Sequence, residues 1–418
     1  MRTWADWGKW VFPGVSAVLV ACGQPAFSPS LSGSAGLGAD VSSQGPDLSP
    51  SRRAVLPDAV SSLRIGLAVG VSEVSLQVPA GTTLQGGALP TGGNLLVTPL
   101  GVGSARLSGP WGQADVRLPL MVRPPVGERL GFKGRRYGGV LEVFDAPDRP
   151  GALTVAEQVA LEDYLRGVVP AEIKASWHPE ALRCQAVAAR TYACANLGRR
   201  SKWGFDMLDT VSDQVYGGAD AAHPATDAAI SATRGVVLTW QGKPIEAYFH
   251  SSSGGETDDG AAVWDLPLPY LRGTADVDDS PNARWQADVG RSTLRDALVA
   301  MGQGISEPSR LEVEVRTPHG RARWLRISGS GREVRVDANK LRLRLGLKST
   351  RYRVTEMANG WRFEGGGWGH GLGMSQWGAK AFADSGMSAP DILARYYPGA
   401  VWTAGGGLPG WVIPTSGR

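Results

Sequence analysis

The sequence is poor in cysteine, histidine and net charge, and each shortage excludes a class of protein. Three cysteines and five histidines are spread over 418 residues, and they form no H-E-x-x-H or similar metal-binding spacing. The formal charge of +4 is small for this length, so the composition indicates no nucleic-acid partner. A hydrophobic content of 42% is instead typical of a globular chain that buries a substantial core.

Two catalytic fingerprints are missing from the glycine-rich segment Gly365–Phe382. It contains no G-x-G-x-x-G, which argues against a dinucleotide site. The stretch Gly373–Trp377 also fails the G-x-S-x-G pattern of serine hydrolases, because Trp377 stands where the last glycine belongs. A nucleophilic serine is therefore disfavoured.

The N-terminus has the plan of an export signal. Arg2 and Lys9 precede an apolar run, Trp10–Ala21, that is too short to span a bilayer. The run ends in Leu-Val-Ala-Cys, which resembles the lipobox of bacterial lipoproteins. Residues 1–22 are therefore expected to be a lipoprotein signal peptide, with a lipidated Cys22 as the first mature residue and a membrane anchor on the exported side. The alternative is a chance match, since small residues are common near any cleavage site.

The rest of the chain divides by composition. Residues 23–60 are rich in Ser, Gly and Pro and are expected to be a flexible linker. Short apolar runs between turn signals predict a small β-rich domain over residues 61–126. Residues 127–405 intersperse strands and helices without regular βαβ alternation and are expected to form the catalytic domain, followed by a tail at 406–418. The predicted fold class is α+β, mixed and strand-rich.

Two helices are predicted near the middle of the chain. Leu161, Tyr164, Leu165 and Val168 recur at helical spacing, and Pro170 is expected to break that helix. A second helix has Pro179 in its first turn, Gly198 just past its end and many small residues that permit close packing. Its cysteines, Cys184 and Cys194, lie about 15 Å apart along a straight helix. They cannot pair and are expected to be buried thiols.

Between these helices, Glu172 is the strongest candidate acid. Val169, Pro170, Ile173 and Trp177 are close in sequence, and packing of these residues around the carboxyl group would raise its pKa. A carboxyl group that stays protonated can act as a general acid on a glycosidic bond. The alternative is a first-turn glutamate that is stabilised by the helix dipole.

Two later segments place polar groups beside glycine and aromatic residues. In "EAYFHSSSGGETDDG" a strand ends at His250 and a serine and glycine loop begins, which is suited to ligand binding or serves only as a turn. In "GGGWGHGLGMSQWGAKAF", glycines surround Trp368 and His370, and Gln376 adds a polar group near the start of a helix at Met374. We expect both segments to line one cleft with Glu172.

Together these segments resemble the family of stage II sporulation protein D and amidase enhancers, SpoIID/LytB. The resemblance runs from Arg135 to Gly399 through "VVPAEIKASWHPEALRCQAVAARTYA", "DQVYGG", "AYFHSSSGGET" and "GGWGHGLGMSQWGAKAF" in a consistent order. It implies a lytic transglycosylase that acts on the glycan strands of peptidoglycan, with Glu172 as catalytic acid and then base. The substrate-binding residues expected in these segments are Arg190, Tyr248, His250, Ser251, Ser252, Gly254, Trp368, His370, Ser375 and Gln376.

The resemblance also bears on cofactors and partners. Some relatives hold a zinc ion through cysteines and histidines near the "QVYGG" segment, but "GFDMLDTVSDQVYGG" has neither residue, so no metal or other cofactor is expected. The expected partners are peptidoglycan, a membrane through the lipid anchor and a cell-wall amidase. Two non-enzymatic alternatives remain: an amidase enhancer that stimulates a separate hydrolase, and a tethered structural protein that binds the wall.

We predict that Cys22→Ser releases the protein from membranes, because the thiol that would carry the lipid is lost. Membrane fractionation followed by immunoblotting measures this. Cys184→Ser, which removes a thiol from the predicted helix, is the control and should leave the distribution unchanged. A Cys22→Ser protein that stays with the membranes after processing at the same site would contradict the lipoprotein interpretation.

Overall fold

The computed structural model describes residues 62–85 and 87–404. The predicted signal peptide with Cys22, the linker and the C-terminal tail lie outside the described residues. None of the helices within the described ranges is long and apolar enough to cross a membrane.

The regular elements in the first part of the described chain are all strands, as the short apolar runs between turn signals predicted. In β2, for example, every second residue is buried. The strands are β1 (Ser62–Val71), β2 (Val74–Val78), β3 (Thr83–Leu84), β4 (Gly87–Ala88), β5 (Gly93–Gly101), β6 (Ser104–Gly109), β7 (Gly112–Arg117), β8 (Leu120–Val122), β9 (Leu130–Phe132), β10 (Arg135–Tyr137), β11 (Val140–Asp145) and β12 (Leu153–Ala160).

These strands form two main sheets, and both sheets cross the boundary expected at residue 126. The first has the order β13-β1-β12-β11-β8, in which β13 (Met207–Leu208) runs parallel to β1. The second has the order β10-β9-β2-β5-β6-β7. Residues on both sides of that boundary therefore share sheets and one continuous hydrophobic core.

The helices that follow β12 position the candidate acid. The first, α1 (Leu161–Glu172), does not end at Pro170 as expected: it continues for two further residues. Pro170 lies in the last turn, where a missing N–H group and a tilted carbonyl disturb few helical hydrogen bonds. Glu172 is consequently the last residue of α1.

The second helix, α2 (Pro179–Ala195), is central to the fold. His178 caps its N-terminus by accepting a hydrogen bond from the N–H of Glu180, and Gly198 has a φ of +71° just beyond its end. Five of its six alanines are buried, and the helix contacts α1 and β14 as well as α3, α7 and α8. Cys184 and Cys194 are both buried and free, which confirms their prediction as structural thiols. The next elements are α3 (Pro224–Ala232), β14 (Val236–Trp240), β15 (Lys243–Pro244), β16 (Phe249–His250) and α4 (Gly260–Trp264).

Residues 285–363 form a unit with a second hydrophobic core of its own, which includes Leu325, Trp361 and Phe363. Two three-stranded sheets, β17-β22-β21 and β18-β19-β20, pack with two helices. The elements are β17 (Trp285–Gly290), α5 (Arg291–Ala300), β18 (Pro308–Arg316), β19 (Ala322–Gly329), β20 (Arg332–Asp337), α6 (Ala338–Leu345), β21 (Tyr352–Met357) and β22 (Gly360–Gly365). We call this the inserted unit.

After the inserted unit the chain returns to the first core. The short strand β23 (Met374–Ser375) pairs in parallel with β16, which brings the glycine-rich segment beside the His250 loop. The last elements are α7 (Gln376–Asp384), α8 (Ala389–Tyr396) and β24 (Val401–Ala404), which pairs with β14. The mixture of helices and several sheets confirms the α+β fold class.

We predict that Gly167→Ala destabilises the fold by about 1–3 kcal/mol, the usual cost of overpacking. A Cβ atom at Gly167 of α1 would lie 2.3 Å from the Tyr216 ring and 2.7 Å from the carbonyl oxygen of Gly218. Urea denaturation measures the loss in the free energy of unfolding. Gly138→Ala is the control, because its added Cβ would lie 3.9 Å from its nearest neighbour. Equal stability of the two variants would contradict the close approach at Gly167.

Candidate functional site

Glu172 occupies an unfavourable place for a charged carboxylate. It ends α1, and the C-terminal end of a helix carries partial negative charge that repels an anion. The alternative interpretation, that Glu172 is a first-turn residue stabilised by a helix dipole, is therefore wrong. The nearest helix start, at Pro179, lies beyond the turn that follows.

The carboxyl group is buried and held on one side only. The residue is 1% exposed, and its Oε1 accepts a hydrogen bond of 2.9 Å from the N–H of Val215. Oε2 has no hydrogen-bond partner among the described residues. One oxygen is thus fixed by the "QVYGG" segment, and the other is left for a ligand or a proton.

Burial raises the pKa of Glu172 to about 8, because removing the carboxylate from water disfavours the charged form. The hydrogen bond from Val215 and the neighbouring side chain of Gln376 oppose this rise without cancelling it. At neutral pH the group is therefore mostly protonated. A protonated carboxyl group beside a cavity is the requirement for a general acid.

Glu172 lines a cavity of about 140 Å³. Pockets that enclose a whole drug-sized ligand measure roughly 300–1,000 Å³, so this one accommodates a part of a larger ligand. All three segments that the sequence analysis assigned to one cleft contribute to it, which confirms that prediction. The lining residues are Glu172, Ile173, Lys174, Trp177, Ser251, Pro281, Asn282, Trp368, Gln376 and Trp377.

Aromatic rings form much of the cavity wall. Trp177 and Trp377 meet edge to face with their ring centroids 5.0 Å apart, and Trp368 is contributed by the glycine-rich segment. Gln376 is held from behind, because its Nε2 donates to Oε1 of Gln185 at 3.3 Å. Flat apolar faces beside a few polar groups suit a ligand that has both apolar faces and hydroxyl groups.

The two histidines that were expected to bind substrate do not line the cavity. Nδ1 of His250 donates to the carbonyl oxygen of Leu372 at 3.1 Å, and Nε2 of His370 donates to that of Phe249 at 2.9 Å. Their rings are 5.2 Å apart, and burial holds the pKa of His250 well below its usual value. The two histidines thus connect the two loops as buried groups.

Five other expected residues also lie outside the cavity lining. Ser252 and the N–H of Gly254 both donate to Asp278, and Ser375 caps α7 through the N–H of Gly378. Arg190 is fully buried in a pair with Glu162 at 2.8 Å, and Tyr248 is buried beside Trp264. Of the predicted set, the structure brings Glu172, Ser251, Trp368 and Gln376 to the cavity and leaves the others to support it.

Six lining residues were not among the predicted site residues, although two of them, Ile173 and Trp177, had been expected to pack around the Glu172 carboxyl group. Trp177 and Trp377 stand within the segments already singled out, and an aromatic residue beside a candidate acid is a usable signal. Pro281 and Asn282 come from a turn that no motif marks. Lys174 and Ile173 follow Glu172 directly. Within the residues that the structure describes, no group of three or more His, Cys, Asp or Glu side chains is placed to hold a metal ion.

Comparison with known proteins identifies the family of this chain. Residues 149–240 match the family model described as stage II sporulation protein, SpoIID. Residues 269–373 match one described as a domain of unknown function, DUF8618. The chain is 32% identical over 265 residues to stage II sporulation protein D of Bacillus amyloliquefaciens, covering 58% of this chain and 74% of that protein. It therefore belongs to the stage II sporulation protein D family.

Two further relatives extend the comparison. An uncharacterised protein of Brachyspira hyodysenteriae is 32% identical over 270 residues, which cover 64% of this chain and 72% of that protein. The amidase enhancer of Bacillus subtilis is 31% identical over 327 residues, or 66% of this chain and 45% of that protein. The relatives of this chain thus carry two different functional names.

We predict that Glu172→Gln stabilises the protein more at pH 8 than at pH 5. At pH values below 4.5, the ordinary pKa of a glutamate, the carboxyl group is protonated in both the folded and the unfolded chain, so its burial carries no charge penalty. As the pH rises towards 8, the Glu172 carboxyl group ionises in the unfolded chain but stays protonated in the folded chain. The free energy of unfolding of the wild type therefore falls by up to about 1.4 kcal/mol per pH unit. Glutamine has no such cost.

Thermal or urea unfolding at the two pH values checks this, with an expected extra gain on the order of 1–4 kcal/mol at pH 8. Glu73→Gln, which removes an exposed carboxyl group, is the matched control. An equal effect of Glu172→Gln at both pH values would show that the carboxyl group is not held neutral.

Proposed function

We propose that this protein is a lytic transglycosylase that cleaves the glycan strands of peptidoglycan. The observation that carries the proposal is Glu172, a buried carboxyl group with a pKa raised to about 8 and one unbonded oxygen, at a cavity lined by three tryptophans. Membership of the stage II sporulation protein D family, together with a relative named amidase enhancer, supports a role at the cell wall.

The reaction requires one carboxyl group in two roles. Glu172 first donates its proton to the glycosidic oxygen, so that the bond from C1 of the muramic acid to this oxygen breaks and the leaving sugar departs as an alcohol. The C6 hydroxyl oxygen of the same muramic acid then attacks C1, and the Glu172 carboxylate takes the proton of that hydroxyl group. The product is a 1,6-anhydro end, the proton returns to Glu172, and no water is consumed.

The composition of the cavity fits this single-acid chemistry. Glycoside hydrolases usually employ a pair of carboxyl groups, one on each side of the scissile bond. Among the described residues that line the cavity, Glu172 is the one acidic side chain. The tryptophan rings would stack on sugar faces, while Lys174, Asn282 and Gln376 offer hydrogen-bond donors for hydroxyl and N-acetyl oxygens.

A second candidate function is that of an amidase enhancer, favoured by the Bacillus subtilis relative of that name. In that case the same cavity would bind glycan without cutting it, and a separate cell-wall amidase would be the partner. The two functions differ in whether wild-type protein alone releases anhydro-muramic products.

We also propose that the protein acts at the cell envelope as an exported lipoprotein. A lipid on Cys22 would hold it at a membrane, and residues 23–60 would allow it to reach the wall. Peptidoglycan and the membrane surface are then its immediate partners.

We predict that Glu172→Gln abolishes strand cleavage while binding to peptidoglycan persists. Glutamine keeps the shape of the side chain but cannot exchange the proton, so the expected loss is at least the 10²–10⁴-fold that is typical of removing a general acid or base. Incubation with purified peptidoglycan and mass spectrometry of the soluble products measures anhydro-muramic ends.

Glu180→Gln, in the first turn of α2 and outside the cavity lining, is the matched control and should retain cleavage. Full activity of Glu172→Gln would assign the chemistry to another residue. Wild-type protein that releases no products but accelerates an added amidase would establish the enhancer function instead.

A further inference from the structure

The inserted unit has its own hydrophobic core, yet several of its side chains contact the cavity loops, and two of these are the basic residues Arg321 and Lys348. It lies within residues 269–373, which match a domain of unknown function. Arg321 precedes β19, and Lys348 follows α6. Each reaches out of the inserted unit towards the segments that surround Glu172, but they contact these segments in different ways.

Arg321 supports the loops from behind. It is fully buried, and its Nη2 donates to the carbonyl oxygens of Ser253 at 2.6 Å and Glu256 at 3.2 Å. Its guanidinium group also packs against Gly371, where a Cβ atom would lie 2.2 Å from Cζ. Arg321 therefore fixes the backbone of both loops without contacting a cavity-lining side chain.

Lys348 contacts the cavity wall itself. Its Nζ donates to Oδ1 of Asn282 at 2.7 Å and lies 5.7 Å from the ring centroid of Trp368. The carbonyl oxygen of Lys348 also accepts a hydrogen bond of 2.9 Å from the N–H of Gly369, directly after that tryptophan. One side chain thus joins two lining residues that come from distant parts of the chain.

We propose that Lys348 is a positioning residue that orients Asn282 and Trp368 for substrate, so that the inserted unit is part of the glycan-binding site. This inference rests on the proposed function. With its Oδ1 held by the ammonium group, Asn282 presents its Nδ2 hydrogens as donors. The wall would then select acceptor oxygens, such as the carbonyl of an N-acetyl group, beside a sugar face stacked on Trp368.

The first test measures binding to purified peptidoglycan by co-sedimentation over a range of protein concentrations. All chains carry Glu172→Gln, so that binding is separated from cleavage. We expect Lys348→Met to weaken binding roughly tenfold, as the loss of a charged contact and a cation–π contact implies. Lys340→Met, which removes an exposed lysine from α6 of the same unit, is the matched control. Lys348→Arg should bind better than Lys348→Met, because it keeps a donor and a cation.

The second test is independent of any ligand. The full chain is labelled with ¹⁵N-tryptophan, and the indole resonance of Trp368 is assigned by its loss in Trp368→Phe. We expect Lys348→Met to shift or broaden this resonance, while Lys340→Met leaves it in place. A general loss of structure would instead disturb most of the 15 tryptophan signals.

The outcomes separate this inference from the proposed function. If the parent chain with Glu172→Gln does not bind peptidoglycan, the proposed function fails and the inference fails with it. If the parent binds and Lys348→Met binds as tightly as Lys340→Met, only the inference is wrong. An unchanged Trp368 resonance in Lys348→Met would likewise overturn the positioning role.

Discussion

The burial of one carboxyl group at the end of α1 is the constraint to which the surrounding structure is fitted. A helix C-terminus and an apolar environment both disfavour a charged Glu172, so the group is kept in its neutral form. This arrangement requires close packing on one side and a ligand-accessible oxygen on the other. The small residues of α2 and the absence of a side chain at Gly167 permit the close packing, since they let neighbouring segments approach α1.

The loops around this group are held by the short β16–β23 pair and by buried polar contacts. His250 and His370 each donate to a backbone carbonyl of the opposite loop, and Asp278 accepts from Ser252 and Gly254. Buried polar groups that are hydrogen-bonded fix one conformation, because breaking a bond leaves an unsatisfied group in the interior. Such loops can hold the cavity lining in place before a ligand arrives, which lowers the cost of binding.

The two hydrophobic cores explain how one chain can match two family models and still build one cavity. The first core includes buried residues of α1, the helix that ends at Glu172, and Trp177 packs against it. The second core supports the inserted unit. The link between them is polar: Arg321 reaches the loop backbone, and Lys348 reaches Asn282 and Trp368. A unit that is stable through its own core can place such side chains with little movement.

The sequence by itself determined the α+β class, the strand-rich start, the buried thiols of α2 and the three segments that meet at the cavity. These are local properties, because apolar periodicity, turn residues and sequence motifs each depend on residues that are close together in the sequence. Pro170 misled the prediction, since a proline signals a helix end without fixing the residue at which it occurs.

Only the tertiary structure decided which polar residues face the cavity. A polar residue in a glycine-rich loop gives the same sequence signal whether it binds a ligand or another loop. The sequence therefore could not show that Trp368 lines the cavity while His250 and His370 bind the opposite loop. Asn282 carries no local mark, and the stretch around Lys348, although it is part of the resemblance to the family, does not indicate a place at the cavity. Their positions follow from long-range packing, in which the inserted unit brings a lysine beside an asparagine and a tryptophan that are distant along the chain.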